Sequence, residues 1–239
     1  SIPSPLLSLT EGVALPGFKL GVSAQSDEVY YTTDGTDPRM PNGSISSRAI
    51  RLVQAETDPF IANGSEWTYL DTGASLNRKP WTAIDYDDSD WKTGKAELGY
   101  GDGDEVTAVS RGPEPSSKYH TTIYFRKKFQ IEESVNKSLL IRLLRDDGAI
   151  VYLNGEELFR SNMKIGTVRS SSYAEKRNSS KNSRIYFPYF IELPNFKPGK
   201  NIFAVEVHRG SRSDKDLSFN FEATVLDAAG VPVVIDKTS

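Results

Sequence analysis

The chain alternates short extended segments with tight-turn signals, and this alternation limits the folds open to it. Asp-Gly, Asn-Gly and Pro-Gly pairs separate the segments, and glycine there supplies the positive φ that tight turns need. No helical apolar period is sustained over roughly ten residues. The pattern predicts an all-β protein. The segments rich in Val, Ile, Tyr and Phe, which we expect to be strands, are 18–22, 29–33, 50–53, 123–129, 139–144, 150–153 and 202–208.

A change of composition near residues 54–59 predicts a domain boundary. A polar Ala-Glu-Thr-Asp-Pro stretch separates a short set of strands from a longer set rich in Trp and Asp. Residues 1–56 fit a small β-sandwich, and residues 57–228 are enough for a larger two-sheet jelly roll. Residues 229–239 read as the start of a linker. Because the sequence starts without an initiating Met, we expect a piece of a longer protein.

Composition excludes several classes of protein. The chain has no Cys, which excludes a disulfide framework, a thiolate zinc site and a Cys nucleophile, and two His argue against a multi-histidine metal centre. Lys and Arg number 29 against 32 Asp and Glu, so no global positive charge attracts nucleic acid. No apolar run is long enough to span a membrane. The Gly-rich stretch 99–103 is followed by acidic residues, which oppose phosphate binding.

The first segment carries a specific hairpin motif. Residues 29–39 read Val-Tyr-Tyr-Thr-Thr-Asp-Gly-Thr-Asp-Pro-Arg; residues 29–33 alternate across a strand, Asp34-Gly35 turns it, and Pro38 ends it. The motif resembles the hairpin of the immunoglobulin-like domain at the C-terminal side of bacterial chitobiase and hexosaminidase-type enzymes. This resemblance implies a small immunoglobulin-like sandwich that acts as a spacer.

The second segment resembles a bacterial extracellular jelly-roll module over residues 60–226. It is similar to the galactose-binding-like domain that precedes the catalytic barrel in family 2 glycoside hydrolases. The resemblance implies an accessory, sugar-binding type of domain without fixing its ligand. The phrases that carry it are residues 67–71, 87–91, 97–105, 124–129, 145–149, 151–155 and 201–208.

Two acidic turns are candidate calcium sites, because calcium takes six to eight oxygen ligands. Asp102 and Asp104 flank Gly103 in the acidic segment 85–105; the alternative there is a solvated turn whose Asp side chains cap backbone amides. Asp146 and Asp147 precede Gly148. This turn resembles that of protective-antigen-type adhesin domains, in which paired Asp residues hold calcium and the calcium holds sugar hydroxyls. The alternative is an ordinary Asp-rich hairpin turn.

A long basic segment, residues 160–184, is the most unusual stretch. It carries seven Lys and Arg and a single Glu, with Ser and Asn between them. Arg binds carboxylate or sulfate oxygens in a bidentate fork, so Arg160, Asn162 and the nearby Arg209 are candidate contacts to an anionic polysaccharide. The alternative is a flexible, solvated loop.

Aromatic and polar side chains supply the remaining candidate sugar contacts. Tyrosine rings stack on pyranose faces, and four tyrosines lie in or beside predicted loops. Glu206 and His208 share one face of a predicted strand and would bond sugar hydroxyls if that face were open; if it is covered, His208 is a buried histidine with its hydrogen bonds satisfied. The tyrosines are Tyr100, Tyr119, Tyr173 and Tyr186, whereas Trp67, Trp81 and Trp91 are expected in the core.

The sequence contains no convincing catalytic set. It therefore predicts a noncatalytic carbohydrate-binding module of a secreted bacterial protein, which holds an attached enzyme on polysaccharide, including acidic chains. We expect a monomer at the cell surface or outside the cell, with calcium as the only cofactor and no nucleic-acid or membrane partner. The alternatives are a structural spacer without a ligand, and a glycoside hydrolase whose carboxylates converge only in space.

Overall fold

The computed structural model describes residues 6–7, 22–23, 29–32, 35–47, 49–52, 59–131, 138–177, 185–192 and 194–226. The chain divides into two compact units, Ser1–Glu56 and Thr57–Ser239. The immunoglobulin-like and jelly-roll folds expected for them stay predictions. The prediction of an all-β protein is confirmed. Among the described residues, no helix combines the length and the apolar character needed to cross a membrane.

The described part of the first unit contains two antiparallel strand pairs. Strand β1 (Leu6–Leu7) pairs with β2 (Val22–Ser23), and β3 (Val29–Tyr31) pairs with β4 (Ile50–Leu52). Residues 18–21, 33–34 and 53 of the predicted strands and turn lie outside the described residues.

The described part of the second unit contains eleven strands and one short 3₁₀ helix, Ser116–Lys118, of which six strands form one sheet and five form another. The strands are β5 (Glu66–Leu70), β6 (Lys92–Lys95), β7 (Leu98–Tyr100), β8 (Thr107–Ala108), β9 (Thr122–Ile131), β10 (Ser138–Asp146), β11 (Gly148–Leu153), β12 (Glu156–Ser161), β13 (Tyr186–Ile191), β14 (Gly199–His208) and β15 (Leu217–Leu226). The six-stranded sheet has the order β12-β11-β14-β9-β5-β6, and the five-stranded sheet has the order β13-β10-β15-β7-β8. All neighbours are antiparallel except β7 and β8.

The two sheets bury their facing side chains in one hydrophobic core. Along β14, Phe203, Val205 and Val207 point into this core, as the period of two predicts. Trp67 is 1% exposed and meets the Phe219 ring edge-on at 4.9 Å. Burial of a large side chain of this kind contributes about 2–3 kcal/mol.

Two segments cover the outer face of the six-stranded sheet. Residues 71–91 pack Leu76 and Trp81 onto Tyr124 of β9. Residues 162–177, here called the strap, pack Met163 and Ala174 onto Ile150 of β11. The backbone amide of Ser170 in the strap donates to Asn77 Oδ1 at 2.9 Å, so the two segments also touch each other.

Six strands begin or end at one end of the sandwich, which is here called the acidic edge because its turns carry several aspartates. Strands β7, β10 and β14 end there, and β9, β11 and β15 begin there, because Leu217 pairs with Tyr100, Gly148 with His208, and His208 with Thr122. The turns that carry the acidic candidate residues therefore meet at this edge.

Candidate functional site

Three carboxylates from distant parts of the chain converge at this edge. Asp102, Asp146 and Asp216 each contribute one carboxylate oxygen, and these three oxygens lie within 4.8 Å of one another. Asp146 is the last residue of β10, Asp102 follows the end of β7 by two residues, and Asp216 directly precedes β15. Pairing of β15 with both β7 and β10 brings them together.

Asp146 is the buried member of this cluster. It is 3% exposed, and its Oδ1 accepts no hydrogen bond. Burial raises the pKa of Asp146, a hydrogen bond with Asp147 opposes the rise, and the carboxylates of Asp216, Asp214 and Asp102 add to it, so that the pKa is about 6. A carboxylate oxygen that lacks a hydrogen bond away from water is costly, so this position favours either a proton or a bound cation.

Two further aspartates at this edge have partners in the protein itself: Asp147 accepts a backbone hydrogen bond, and Asp214 forms an ion pair. The backbone amide of Gly210 donates to Asp147 Oδ2 at 2.5 Å, and Arg177 Nε lies 2.6 Å from Asp214 Oδ1. Burial raises the pKa values of Asp214 and Asp216 as well.

The predicted metal ligands are thus only partly brought together. Asp102 and Asp146 belong to the cluster, whereas Asp104 and Asp147 do not. The Asp147 carboxylate faces the turn at Gly210, and Asp104 is exposed. Asp216 takes the third place.

Glu105 shapes the turn that carries Asp102. Its carboxylate accepts the backbone amides of Asp102 at 2.9 Å and Gly103 at 3.0 Å. The amide-capping role that the sequence suggested for aspartates in this turn is therefore filled by Glu105. The Asp102 side chain is directed to the cluster.

The donor set of the cluster suits a hard cation. All three groups are carboxylates, the type of ligand that Ca²⁺ and Mg²⁺ take, and the flexible coordination of calcium tolerates partial protein ligation. Asp102 and Asp216 are half-buried, so the cluster opens to solvent on one side. A cation held there by three carboxylates would keep coordination positions for other oxygen ligands.

Tyr100 and Tyr119 are not exposed platforms, which corrects the expectation from the sequence. Each is 6% exposed, and their ring centroids lie 6.0 Å apart in an edge-to-face arrangement. The guanidinium groups of Arg111 and Arg209 lie 5.0 and 5.3 Å from the Tyr119 ring centroid. Because neighbouring side chains enclose both rings, a sugar cannot stack on them.

Of the other two predicted platforms, Tyr173 is half-buried on the strap, four residues before Arg177. Tyr186 is half-buried on β13; its hydroxyl donates to Asn63 Oδ1 at 3.0 Å, and the Arg142 guanidinium lies 5.0 Å from its ring centroid.

Arg209 and Asn162 hold backbone rather than face solvent. Arg209 is fully buried, and its guanidinium donates to the carbonyls of Tyr119, Arg212 and Asp214. The Asn162 amide donates to the Asp147 carbonyl at 2.9 Å and to the Lys176 carbonyl at 2.6 Å. The prediction that Arg209 contacts sugar directly is therefore wrong, because it lies beneath the turn that it supports.

Arg160 is only partly exposed and is occupied within its own strand and the strap. Its guanidinium lies 2.6 Å from Glu157 Oε1 and also donates to the carbonyls of Lys164 and Gly166. The strap is fixed in place rather than loose, since the Ala174 amide donates to the Arg209 carbonyl at 2.9 Å. Lys164, Arg169, Lys176 and Arg177 remain exposed, and Arg177 reaches the acidic edge through Asp214. Residues 178–184 of the basic segment lie outside the described residues.

Glu206 and His208 are covered by the strap. His208 is 0% exposed and Glu206 is 7% exposed, and the Nε2 and Oε2 atoms of the pair lie 3.2 Å apart. The direct sugar contacts expected from an open sheet face are therefore corrected: His208 is buried, as in the alternative, with hydrogen-bond partners at Nδ1 but none at Nε2.

Sequence reasoning missed Asp216. The available signal is the Asp214-Lys215-Asp216 pattern immediately before the last strand. Its meaning depends on a non-local pairing, because Asp216 approaches Asp146 only when β15 lies between β7 and β10.

The fold and the site define a β-sandwich unit with an acidic, solvent-open candidate cation centre at the ends of the neighbouring strands β10, β15 and β7. No family model and no curated protein matches the chain. Among solved structures, the chain is similar to a β-glycosidase from Bacteroides vulgatus (19% identity, TM-score 0.41, covering 67% of this chain and 20% of that one). It is also similar to a β-glucuronidase of glycoside hydrolase family 2, with 19% identity and a TM-score of 0.41, covering 71% of this chain and 18% of that one. A third similar structure is a family 2 member from Bacteroides cellulosilyticus, with 12% identity and a TM-score of 0.45, covering 70% of this chain and 20% of that one.

The chain spans about a fifth of the length of these three enzymes. With TM-scores below 0.5 and identities below 20%, these similarities identify neither a ligand nor a reaction for this chain.

Proposed function

We propose that the chain is a noncatalytic carbohydrate-binding module that meets its ligand at the acidic edge through a bound calcium ion. The observation that carries the proposal is the buried Asp146 Oδ1, which accepts no hydrogen bond and belongs to the cluster with Asp102 and Asp216. A divalent cation would compensate the three carboxylates. Its outward coordination positions would then be available to vicinal hydroxyls of a sugar.

The strap would add selectivity for acidic chains. Arg177 lies at its end with a side chain that is 55% exposed, next to the buried Asp214 of the acidic edge. Lys176 and Arg169 are exposed on the same segment. Positive groups beside a cation centre attract carboxylated or sulfated polysaccharides, and Tyr173 is the half-buried aromatic ring closest to them in sequence.

We further propose that the module belongs to a secreted bacterial enzyme and positions it on polysaccharide. In this arrangement the first unit is a spacer, the catalytic domain is attached in the same chain, and the module acts as a monomer outside the cell. Support comes from the β-sandwich architecture and from the candidate site, which is made of turns at the ends of strands, where loops commonly carry function.

The experiment is a binding screen of the full chain against neutral and acidic polysaccharides, in calcium and again in chelator. Asp146→Asn and Asp216→Asn should each abolish calcium binding by calorimetry and calcium-dependent retention on the glycan. Asp104→Asn is the matched control, because Asp104 lies in the same acidic turn region but outside the cluster. Calcium binding without retention on any glycan would reduce the site to a structural cation in a spacer. Retention unchanged by chelator and by Asp146→Asn would overturn the proposal.

A further inference from the structure

His208 is a fully buried histidine enclosed by strands and by the strap. Its Nδ1 lies 2.9 Å from the Ser172 carbonyl oxygen and 2.8 Å from Thr122 Oγ1. Its Nε2 lies 3.2 Å from Glu206 Oε2. The Nδ1 atom thus has two polar partners, whereas Nε2 faces the Glu206 oxygen without forming a hydrogen bond.

The strap determines which ring nitrogen carries the first proton. The Ser172 carbonyl oxygen is an acceptor only, so the contact at Nδ1 requires a hydrogen on Nδ1. The Thr122 hydroxyl donates to the Ser170 carbonyl at 2.9 Å, so toward His208 its oxygen is an acceptor as well. Two independent acceptors thus assign the Nδ1–H form to His208.

A second proton is then needed on the other side of the ring. In a neutral Nδ1–H ring, Nε2 is an acceptor, and an ionised Glu206 carboxylate is also an acceptor. The Tyr152 hydroxyl donates to Glu206 Oε1 at 2.7 Å, which leaves Oε2 facing Nε2. Two buried acceptors face to face would both lack a donor, at a substantial cost in free energy.

We propose that Glu206 and His208 share one buried proton between Oε2 and Nε2. This proton holds the His208 ring in the orientation in which it fastens the strap to the sheet through a hydrogen bond. The proton lies in an imidazolium–carboxylate pair or in a carboxylic acid that donates to a neutral ring; both give Nε2 a donor–acceptor contact. His208 then binds the Ser172 carbonyl while Thr122 binds the Ser170 carbonyl.

The fastened strap also supports the acidic edge. Beyond Ser172, the Ala174 amide bonds to the Arg209 carbonyl and Arg177 reaches Asp214. By holding the strap, the proton-sharing pair consequently positions the strap residues that lie next to the candidate cation centre. The pair stands on its own geometry, so it is independent of whether the chain binds a glycan.

Nuclear magnetic resonance of the full chain with labelled histidine and glutamate tests the proton directly. We expect the nitrogen shift of His208 Nδ1 to be that of a protonated nitrogen, and the second proton to be found on Nε2 or on the Glu206 carboxyl group. A bare Nε2 facing an ionised Glu206 would overturn the proposal. The measurement uses the unmodified protein, so its result does not depend on whether a substituted protein still folds.

Two isosteric variants test the fastening. Asn places its amide nitrogen near the position of Nδ1, and Gln places it near Nε2. His208→Gln should speed hydrogen exchange of the Ala174 and Glu175 amides about tenfold, while His208→Asn should preserve their protection, because only the first loses the contact to Ser172. Glu206→Gln supplies a permanent N–H to Nε2 and should also preserve it. Equal loosening by both His208 variants, with β9 and β14 still protected, would overturn the fastening role.

Discussion

Arg177 Nε lies 2.6 Å from Asp214 Oδ1, and the pair joins a half-exposed cation to a carboxylate whose side chain is 1% exposed. The strap therefore ends on a buried negative charge at the acidic edge. Arg177 thus supplies a cation to this group of aspartates.

Removing this counterion should destabilise the second unit. Arg177→Ala leaves the Asp214 carboxylate buried without its cation, and we expect a loss of about 1–2 kcal/mol in the free energy of unfolding. Urea denaturation followed by tryptophan fluorescence measures it. Arg169→Ala, on an exposed position of the same strap, should change the unfolding free energy by less than about 0.5 kcal/mol. Equal effects of the two variants would contradict a specific role for the Arg177–Asp214 pair.

The pH dependence of stability should reveal the buried carboxyl group of Asp146. Its pKa is raised to about 6, above the value expected in the unfolded chain, so the folded state binds more protons than the unfolded state between pH 4 and 6. Its contribution to stability is present at acidic pH and is lost as the pH rises through about 6. The loss amounts to roughly 3 kcal/mol at most, in chelator.

The Asp146→Asn variant isolates this contribution. In chelator, the unfolding free energy of Asp146→Asn relative to wild type should increase between pH 4 and pH 6.5, while Asp104→Asn should track the wild type. Calcium should restore wild-type stability at neutral pH and leave Asp146→Asn unchanged. A pH-independent difference between wild type and Asp146→Asn would argue against the buried, proton-binding carboxyl group.

The sheet architecture was predictable where side chains alternate clearly. The predicted segments 123–129, 139–144, 150–153 and 202–208 all lie within observed strands, because each buries one face in the core. Strand β15 shows the same alternation, with polar Ser218, Asn220 and Glu222 between core residues, and sequence reasoning missed it. Its strand partners lie far away in sequence, so local pattern alone could not place it between β10 and β7.

The candidate site was predictable only in part, for the same physical reason. Acidic composition pointed to Asp102 and Asp146, but which third carboxylate joins them depends on the pairing of β15. Residue type did not indicate the burial of Tyr100 and Arg209, because neighbouring turns cover them. Loop position predicts exposure poorly when other loops pack on top.

Gly210 should be required for the turn at the acidic edge. A Cβ built there would lie 2.8 Å from Asp147 Oδ2 and 2.9 Å from the Arg177 Cα atom. Gly210→Ala should therefore cost about 1–3 kcal/mol by overpacking and weaken calcium binding measured by calorimetry. Gly155→Ala is the comparison: its turn has open space but a positive φ, so backbone strain of about 1 kcal/mol and unchanged calcium affinity are expected. Normal calcium affinity in Gly210→Ala would show that the turn adapts.

Arg126 and Lys128 allow a buried and an exposed cation to be compared at one carboxylate. Arg126 Nε lies 2.8 Å from Asp88 Oδ2 with its side chain fully buried, and Lys128 Nζ lies 2.7 Å from Oδ1 with its side chain 52% exposed. The Arg126 guanidinium also donates to the carbonyls of Trp81 and Ala83, so it ties the segment 71–91 to β9.

Replacing these two cations by Met should have unequal effects. Arg126→Met leaves buried carbonyls and a carboxylate without donors and should cost about 3–5 kcal/mol in the free energy of unfolding. Lys128→Met should cost at most about 1 kcal/mol, because its ion pair is solvated. Urea denaturation of both variants gives the difference, and hydrogen exchange should show the loss concentrated in residues 81–91. A loss below about 1 kcal/mol for Arg126→Met would mean that packing of Trp81 alone holds this segment on the sheet.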